Sequence, residues 1–477
     1  MKKLLLIAIC ILSILLLASC GKNGPQDEKG EQGIQGDPGK DGTTPTIEIS
    51  ADGYWVINGV KTEYKATSDG ANDENAQGLA FYLKDDGTYA VAVGNAKYLS
   101  KIVIPSTYLG RAVTEIASSG FATTKTKEVV IPDSVTSLGD NAFSDCENLT
   151  CVTIGNGVTS IGKNAFKQCC ALRSVTIGNS VENIGESAFD FCLRLNSINI
   201  PDSVISIESR AFAGCISLSN VTIPNSVTSL GDNAFSDCSG LVSITIPANV
   251  TTIGDNAFYG CIKLVEIINL SSVNLSVSGA KIHSGESEVV NVNGYLFYTK
   301  NDINYLMGYV GDDTNLILPE NYNGEHYRLY QGAFIAQTSI TSVVLPNCIT
   351  TIESYAFVGC DNIESITFGN DVGAFMDFAF YACASLKSFT IPDSVTSIGP
   401  YALGMCTGLT HITIPNSVIS IGDAAFQSCS KITSITFANP NGWTVGSISI
   451  SATDLSDPAT AAEYLTSSYY LYTWRRS

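Results

Sequence analysis

Leu241-Val-Ser-Ile-Thr-Ile-Pro247-Ala-Asn-Val250-Thr-Thr-Ile253-Gly-Asp-Asn-Ala-Phe258-Tyr-Gly-Cys261 is one beat of a phrase that returns at a fixed interval along the chain. Phe143, Phe166, Phe189, Phe212, Phe235 and Phe258 mark it, and the beat resumes at Phe334, Phe357, Phe380, Leu403 and Phe426. A unit this short cannot bury its own apolar face and must stack on its neighbours, so the period predicts a solenoid. Within one beat, Leu218, Val221 and Ile223 alternate with Asn220 and Thr222. Alternation sends the first three inward and the polar pair outward along a strand. Pro224 ends ladder pairing, Val227 and Leu230 begin the return side, and Phe235 is the largest core piece of the coil. The turn glycine gives way to Glu208 and Glu353 in two coils, so that place does not demand a positive φ.

The phrase Leu-x-x-Val-x-Ile-Pro-x-x-Val-x-x-Ile-Gly-x-x-Ala-Phe-x-x-Cys resembles the BspA-type leucine-rich repeat over most of residues 99–438. That resemblance implies a right-handed, curved solenoid of the α/β leucine-rich-repeat class. A parallel sheet would line the concave side, with short strands and helical turns on the return. It also implies a surface protein, with some relatives acting as adhesins for host matrix or plasma proteins.

Elsewhere the sequence reads as an address and a tether. Lys2 and Lys3 precede an apolar run from Leu4 to Leu17, too short for a comfortable membrane anchor, so residues 1–19 read as a secretory signal. Leu17-Ala-Ser-Cys20 resembles the bacterial lipobox, which implies a diacylglyceryl group on Cys20. Residues 20–45 carry glycine at every third place from Gly30 to Gly42 and resemble collagen, but read as a hydrated spacer of up to ~80 Å. Residues 46–65 form a small β-hairpin module about Ala51-Asp-Gly53, and 66–78 a linker.

The repeat region divides into two matching blocks. Phe81-Tyr-Leu-Lys-Asp-Asp matches Phe297-Tyr-Thr-Lys-Asn-Asp, so 79–264 is a hairpin cap with the first block. Residues 265–333 are an interruption with a second hairpin, 334–438 the second block, and 439–477 an aromatic-rich cap. Stacked end to end, these coils would make one stiff rod.

Composition narrows the function. A net charge of −19 argues against nucleic acid and against electrostatic adhesion to anionic lipid. Cys146, Cys169, Cys192, Cys215, Cys238, Cys261, Cys360, Cys383, Cys406 and Cys429 fall on the beat, one per coil. Neighbours ~4.8 Å apart lie within disulfide reach, but every neighbour has the same claim, and a buried thiol also serves as a small hydrophobe. The ladder reads as structural and reduced, with disulfides the alternative; the spacing suits no metal. His283, His326 and His411 fall in unrelated contexts and read as surface side chains, so no enzyme and no cofactor is expected.

One surface invites a ligand. The outward strand positions are Ser174, Thr176, Ser197, Asn199, Asn220, Thr222, Ser243 and Thr245, then Ser365, Thr367, Ser388, Thr390, His411, Thr413, Ser434 and Thr436. This neutral, hydroxyl-rich strip also has a bland origin, since Thr fits strands and near-identical coils repeat whatever they contain. The expectation is a binding protein at the bacterial cell surface, held to the membrane by lipid and facing a host or other cell-surface protein. Polysaccharide capture and a plain envelope spacer remain the alternatives.

Overall fold

The structure is a computed structural model that describes three strands between residues 47 and 65 and then residues 78–476. The signal segment 1–19, Cys20, the tether 20–45 and nearly all of the linker 66–78 lie outside the described residues. Strands Ile47–Ile49, Tyr54–Ile57 and Val60–Lys65 pair antiparallel in that order. The small module is therefore three-stranded, where turn chemistry predicted a two-stranded hairpin.

From residue 78 onward the chain is a parallel β-solenoid with two strand ladders per coil. The longer strands run through Glu128–Ile131, Cys151–Ile154, Ser174–Thr176, Ser197–Asn199, Asn220–Thr222, Ser243–Ile246 and Glu266–Asn269. On the return side, two-residue strands from Ser137–Leu138 to Thr252–Ile253 form one continuous parallel sheet. Each pairing steps by one beat of the phrase, as in Ser197↔Asn220 and Ser206↔Ser229. Among the described residues helix is confined to short turns at Ala96–Tyr98 and between Ala452 and Ser468. The turns that join the ladders are tight hydrogen-bonded turns, as from Ser236 N–H to Asn233 O at 3.0 Å.

Those turns explain the rest of the phrase. Each coil enters left-handed backbone twice, for example at Asn233 (φ 55) and Asp237 (φ 57). Gly231 is not left-handed; a Cβ there would lie 2.3 Å from the Ser209 nitrogen, so close approach of the previous coil is what favours glycine. Between the left-handed residues the main chain makes three rungs to the next coil. Asn233, Phe235 and Asp237 N–H donate to the carbonyls of Asp255, Ala257 and Tyr259 at 2.8, 2.8 and 2.6 Å.

The phenylalanines stack through the interior. Centroids from Phe143 to Phe235 are 5.2–5.3 Å apart with nearly parallel planes. Phe189 has a ring on each side and no exposure. Phe189→Ala is expected to lower stability by about 3–5 kcal/mol, read as a lower urea midpoint.

The two blocks do not continue as one rod. Each has its own core, and a third apolar group joins them side by side: Cys170, Leu193 and Ile216 from the first, Ile335, Val358, Phe378 and Tyr381 from the second. Arg194 pairs with Asp361, while Ser217 Oγ donates to the Ala336 carbonyl at 3.1 Å. As the number rises in the second block from 336 to 361, its partner falls in the first from 217 to 194. The second block therefore runs back alongside the first, and the expectation of one extended rod is corrected. Burial of the apolar faces beside the turns drives this, since those side chains are superfluous to either coil stack.

The joint makes the reversal. Strand Lys281–His283 pairs parallel with Glu266–Asn269, so part of the interruption extends the first sheet. The hairpin Tyr295–Lys300 and Ile303–Tyr309 packs Tyr298 and Met307 onto Val242 and Val265. Lys263, wholly buried here, donates to the Ala333 carbonyl at 2.8 Å. At the far end Trp474–Arg476 pairs antiparallel with Ser420–Ile421, and Trp443 and Trp474 are buried.

Candidate binding surface

The longer strands place the predicted strip as alternation requires. Ser174, Thr176, Ser197, Asn199, Asn220, Thr222, Thr245, Ser365, Thr367, Ser388, Thr390, His411, Thr413 and Thr436 are exposed; Ser243 and Ser434 are half-buried. Strand pairing holds them in register, with Asn199 beside Thr222 and Thr413 beside Thr436. Ser388 and Thr390 lie outside any regular strand but flank buried Phe389 in the same alternation. The seam between blocks uses the turn side of the coils, so it leaves this face open on both.

The cysteine ladder has a role that spacing alone did not reveal. Cys169, Cys192, Cys215 and Cys238 donate to the carbonyls of Phe143, Phe166, Phe189 and Phe212 at 3.1–3.2 Å. Cys261, Cys360, Cys383, Cys406 and Cys429 repeat the contact with Phe235, Phe334, Phe357, Phe380 and Leu403, and Cys146 makes it to Phe121. In the interior coils the same carbonyl already accepts a main-chain N–H, as Phe189 does from Cys192 at 3.1 Å. The thiol thus occupies the second lone pair, a place no hydrocarbon of its size can fill. All thirteen described cysteines are free thiols.

Burial pushes the Cys261 and Cys429 thiols up to about 12 and Cys215 higher still, so thiolate is scarce. Cys215→Ala is expected to cost about 1–2 kcal/mol through the lost hydrogen bond and a small void, measured by urea unfolding. Ladder thiols should react with Ellman's reagent only after denaturation. Cys170 lies off the ladder, buried in the seam.

His326 and His411 are exposed, as expected. His283 is not a simple surface residue: its Nε2 sits 3.4 Å from Oε2 of fully buried Glu266. Ser287 Oγ bonds the other oxygen of Glu266, and Glu288 N–H donates to Oε2 at 2.8 Å. The carboxylate thus stands between hydroxyl and imidazole, the wrong order for the ring to take the hydroxyl proton. This arrangement ties the joint together. Among the described residues no group of His, Cys, Asp or Glu could hold a metal, and no helix is long and apolar enough to cross a membrane.

Several residues with structural consequences escaped the sequence reading. Lys263 and Arg194 stand two places after the cysteine, where most other coils show Asn, Ala, Ser or Gly, and Asp361 stands one place after, where the residue type varies from coil to coil. The seam did leave a trace: the residue after the phenylalanine is Ile335, Val358 and Tyr381 in the second block but Ser144, Lys167 and Asp190 in the first.

The structural neighbours are leucine-rich-repeat proteins. A leucine-rich cell surface protein from Faecalibacterium prausnitzii is 29% identical, covering 83% of this chain and 96% of that one, with a TM-score of 0.37. A leucine-rich-repeat protein from Bacteroides ovatus is 26% identical over 75% of this chain and 92% of that one, TM-score 0.36. The pneumococcal vaccine antigen PcpA is 16% identical over 85% and 89%, TM-score 0.27. No curated protein sequence matches the chain. The family profile described as the BspA type leucine rich repeat region matches residues 92–195, 182–293 and 328–449, well over half of the sequence. With its regularly recurring coils, stacked phenylalanines and paired strand ladders, the chain belongs to the BspA-type leucine-rich-repeat family.

Proposed function

We propose that this chain is a bacterial surface adhesion protein whose outward strand face binds another protein. The observation that carries the reading is that doubling back buries the turn side of both blocks yet leaves the Ser/Thr strip open along each. The return-side ladder is open too, through Thr159, Glu182, Ile205, Thr228 and Thr251, but its two-residue strands offer a narrower face than the strip. The strip lacks Trp, Tyr and Arg anchors, so its affinity would come from shape and many modest hydrogen bonds, and a single substitution would weaken it little. Membrane attachment through an acylated Cys20, with the glycine-rich segment as spacer, completes the proposal; two or more acyl chains hold where one would not.

Binding of residues 79–477 to a panel of matrix and cell-surface proteins tests it. Thr222→Glu with Thr245→Glu and Thr413→Glu should weaken the best binder at least tenfold and leave the urea midpoint unchanged. Full affinity in that variant would refute the strip as the site, and a response on a glycan array alone would favour polysaccharide instead. Cys20→Ala should release the full chain from the membrane fraction.

A further inference from the structure

The first block ends unfinished. At ten coil joints, six in the first block and four in the second, three main-chain N–H groups donate to carbonyls of the following coil. In the last coil of the first block the equivalent donors are Asn256, Phe258 and Gly260. Among the described residues none of these three N–H groups donates a hydrogen bond. Asn256 (φ 57) and Gly260 (φ 75) keep the left-handed backbone that aims such donors along the stack in every coil below.

The chain that follows covers this end only in part. Leu275 and Val277 pack against the core from a segment without regular structure. Between that segment, 274–278, and the coil surface of residues 253–262 lies a cavity of about 480 Å³. It occupies the place of a next coil, with apolar contacts made and main-chain contacts missing. Unsatisfied donors facing such a space favour whatever supplies acceptors.

The surroundings select the acceptor. Asp255 lines the cavity, no Lys or Arg does, and Asp232 lies one coil below, accepting the Asp255 N–H at 2.8 Å. A phosphate or carboxylate would meet repulsion here, whereas a neutral amide carbonyl would not. Carbonyls at alternate residues fill these positions at the ten joints, and in the last coil of the second block the C-terminal cap supplies one of them, Tyr470 O to Ala424 N–H at 2.5 Å. A second copy of the chain is poorly placed to provide them, because the middle carbonyl of the three is already taken at both block starts: Gly120 O accepts from Val93, and Ala333 O accepts from Lys263.

We propose that this slot binds a stretch of a different polypeptide in the turn conformation of a coil, whose carbonyls at three alternate residues complete the stack. It is a site separate from the Ser/Thr strip, and main-chain recognition there would tolerate many sequences with small side chains.

The test uses the full chain and a synthetic peptide of sequence 231–238 with capped ends, Asn in place of Asp232 and Asp237 and Ser in place of Cys238; the carbonyls at its second, fourth and sixth residues play this part inside the stack. Amide exchange at Asn256, Phe258 and Gly260 should be fast in the free protein and slow at least tenfold with millimolar peptide. A peptide with those three carbonyls reduced to methylenes should give no slowing. Leu275→Trp, which fills the slot, should abolish the effect while leaving binding at the strip intact. Exchange unchanged by the intact peptide, equal slowing by the reduced one, or slowing by inorganic phosphate in its place would each overturn the proposal.

Discussion

Leu193→Asp combined with Val358→Asp is expected to swing the two blocks apart without unfolding either. Both side chains are buried in the seam, at 0% and 1% exposure. Two carboxylates there would face each other unpaired, and desolvating them costs more than a seam of this kind returns. Each block keeps its own core, so opening is the cheaper escape from that penalty. X-ray scattering should show the maximum dimension growing by roughly 25–30 Å, the length of the five or six folded-back coils at their ~4.8 Å spacing. Circular dichroism should stay unchanged. A wild-type scattering curve in the variant would mean that the joint alone sets the reversal. Breaking only the Arg194–Asp361 pair should do less, because burial raises the Asp361 carboxyl above its usual range despite the neighbouring arginines.

Lys263→Met should raise stability and remove a pH dependence. Burial lowers the Lys263 ammonium to about 7, from 10.5 in the unfolded chain. Below pH 7 both states hold the proton, and the folded state bears the whole cost of a desolvated charge with one carbonyl partner. Between pH 7 and 10.5 the unfolded chain binds more protons than the folded one, so stability rises with pH across that window. The full span is worth about 5 kcal/mol. Urea midpoints at pH 6, 8 and 9.5, read as the difference between wild type and Lys263→Met, isolate this residue from the tyrosines and thiols that titrate nearby. The variant should be the more stable at pH 6, with the gap closing by pH 9.5. A gap independent of pH would place the ammonium in contact with water. Methionine forgoes the bond to Ala333, a smaller loss than the charge it removes.

The two expectations share a location because the seam and the joint are where this chain departs from its own repeat. Left-handed backbone shows the same departure. In the first block those places hold Asn141, Asn164, Asn233 and Asn256, whose short side chain tolerates such a φ. In the second block they hold Tyr355, Phe378 and Tyr401, with φ of 55–63°. The three rings stack on one another at 5.4 and 4.7 Å against the seam. A local rule is broken where packing between blocks outweighs it.

The sequence alone determined the coil. A strand, a turn and a ring that recur on every beat specify one partner each, the same residues one beat later, so register, inward and outward faces, the cysteine ladder's burial and the strip's exposure all followed from period and alternation. Only the tertiary structure decided what the coils do together. Apolar Val358 and Leu193 stand outside the recurring phrase, and nothing in the spacing names their partners, which lie in the other block and are set by the path of the joint. For the same reason the acceptor of each thiol, the pairing of Arg194 with Asp361, the burial of Lys263 and the open donors at the first block's end stayed hidden. A hydrogen bond depends on direction and on what else has claimed the lone pair, and neither is carried by spacing along the chain.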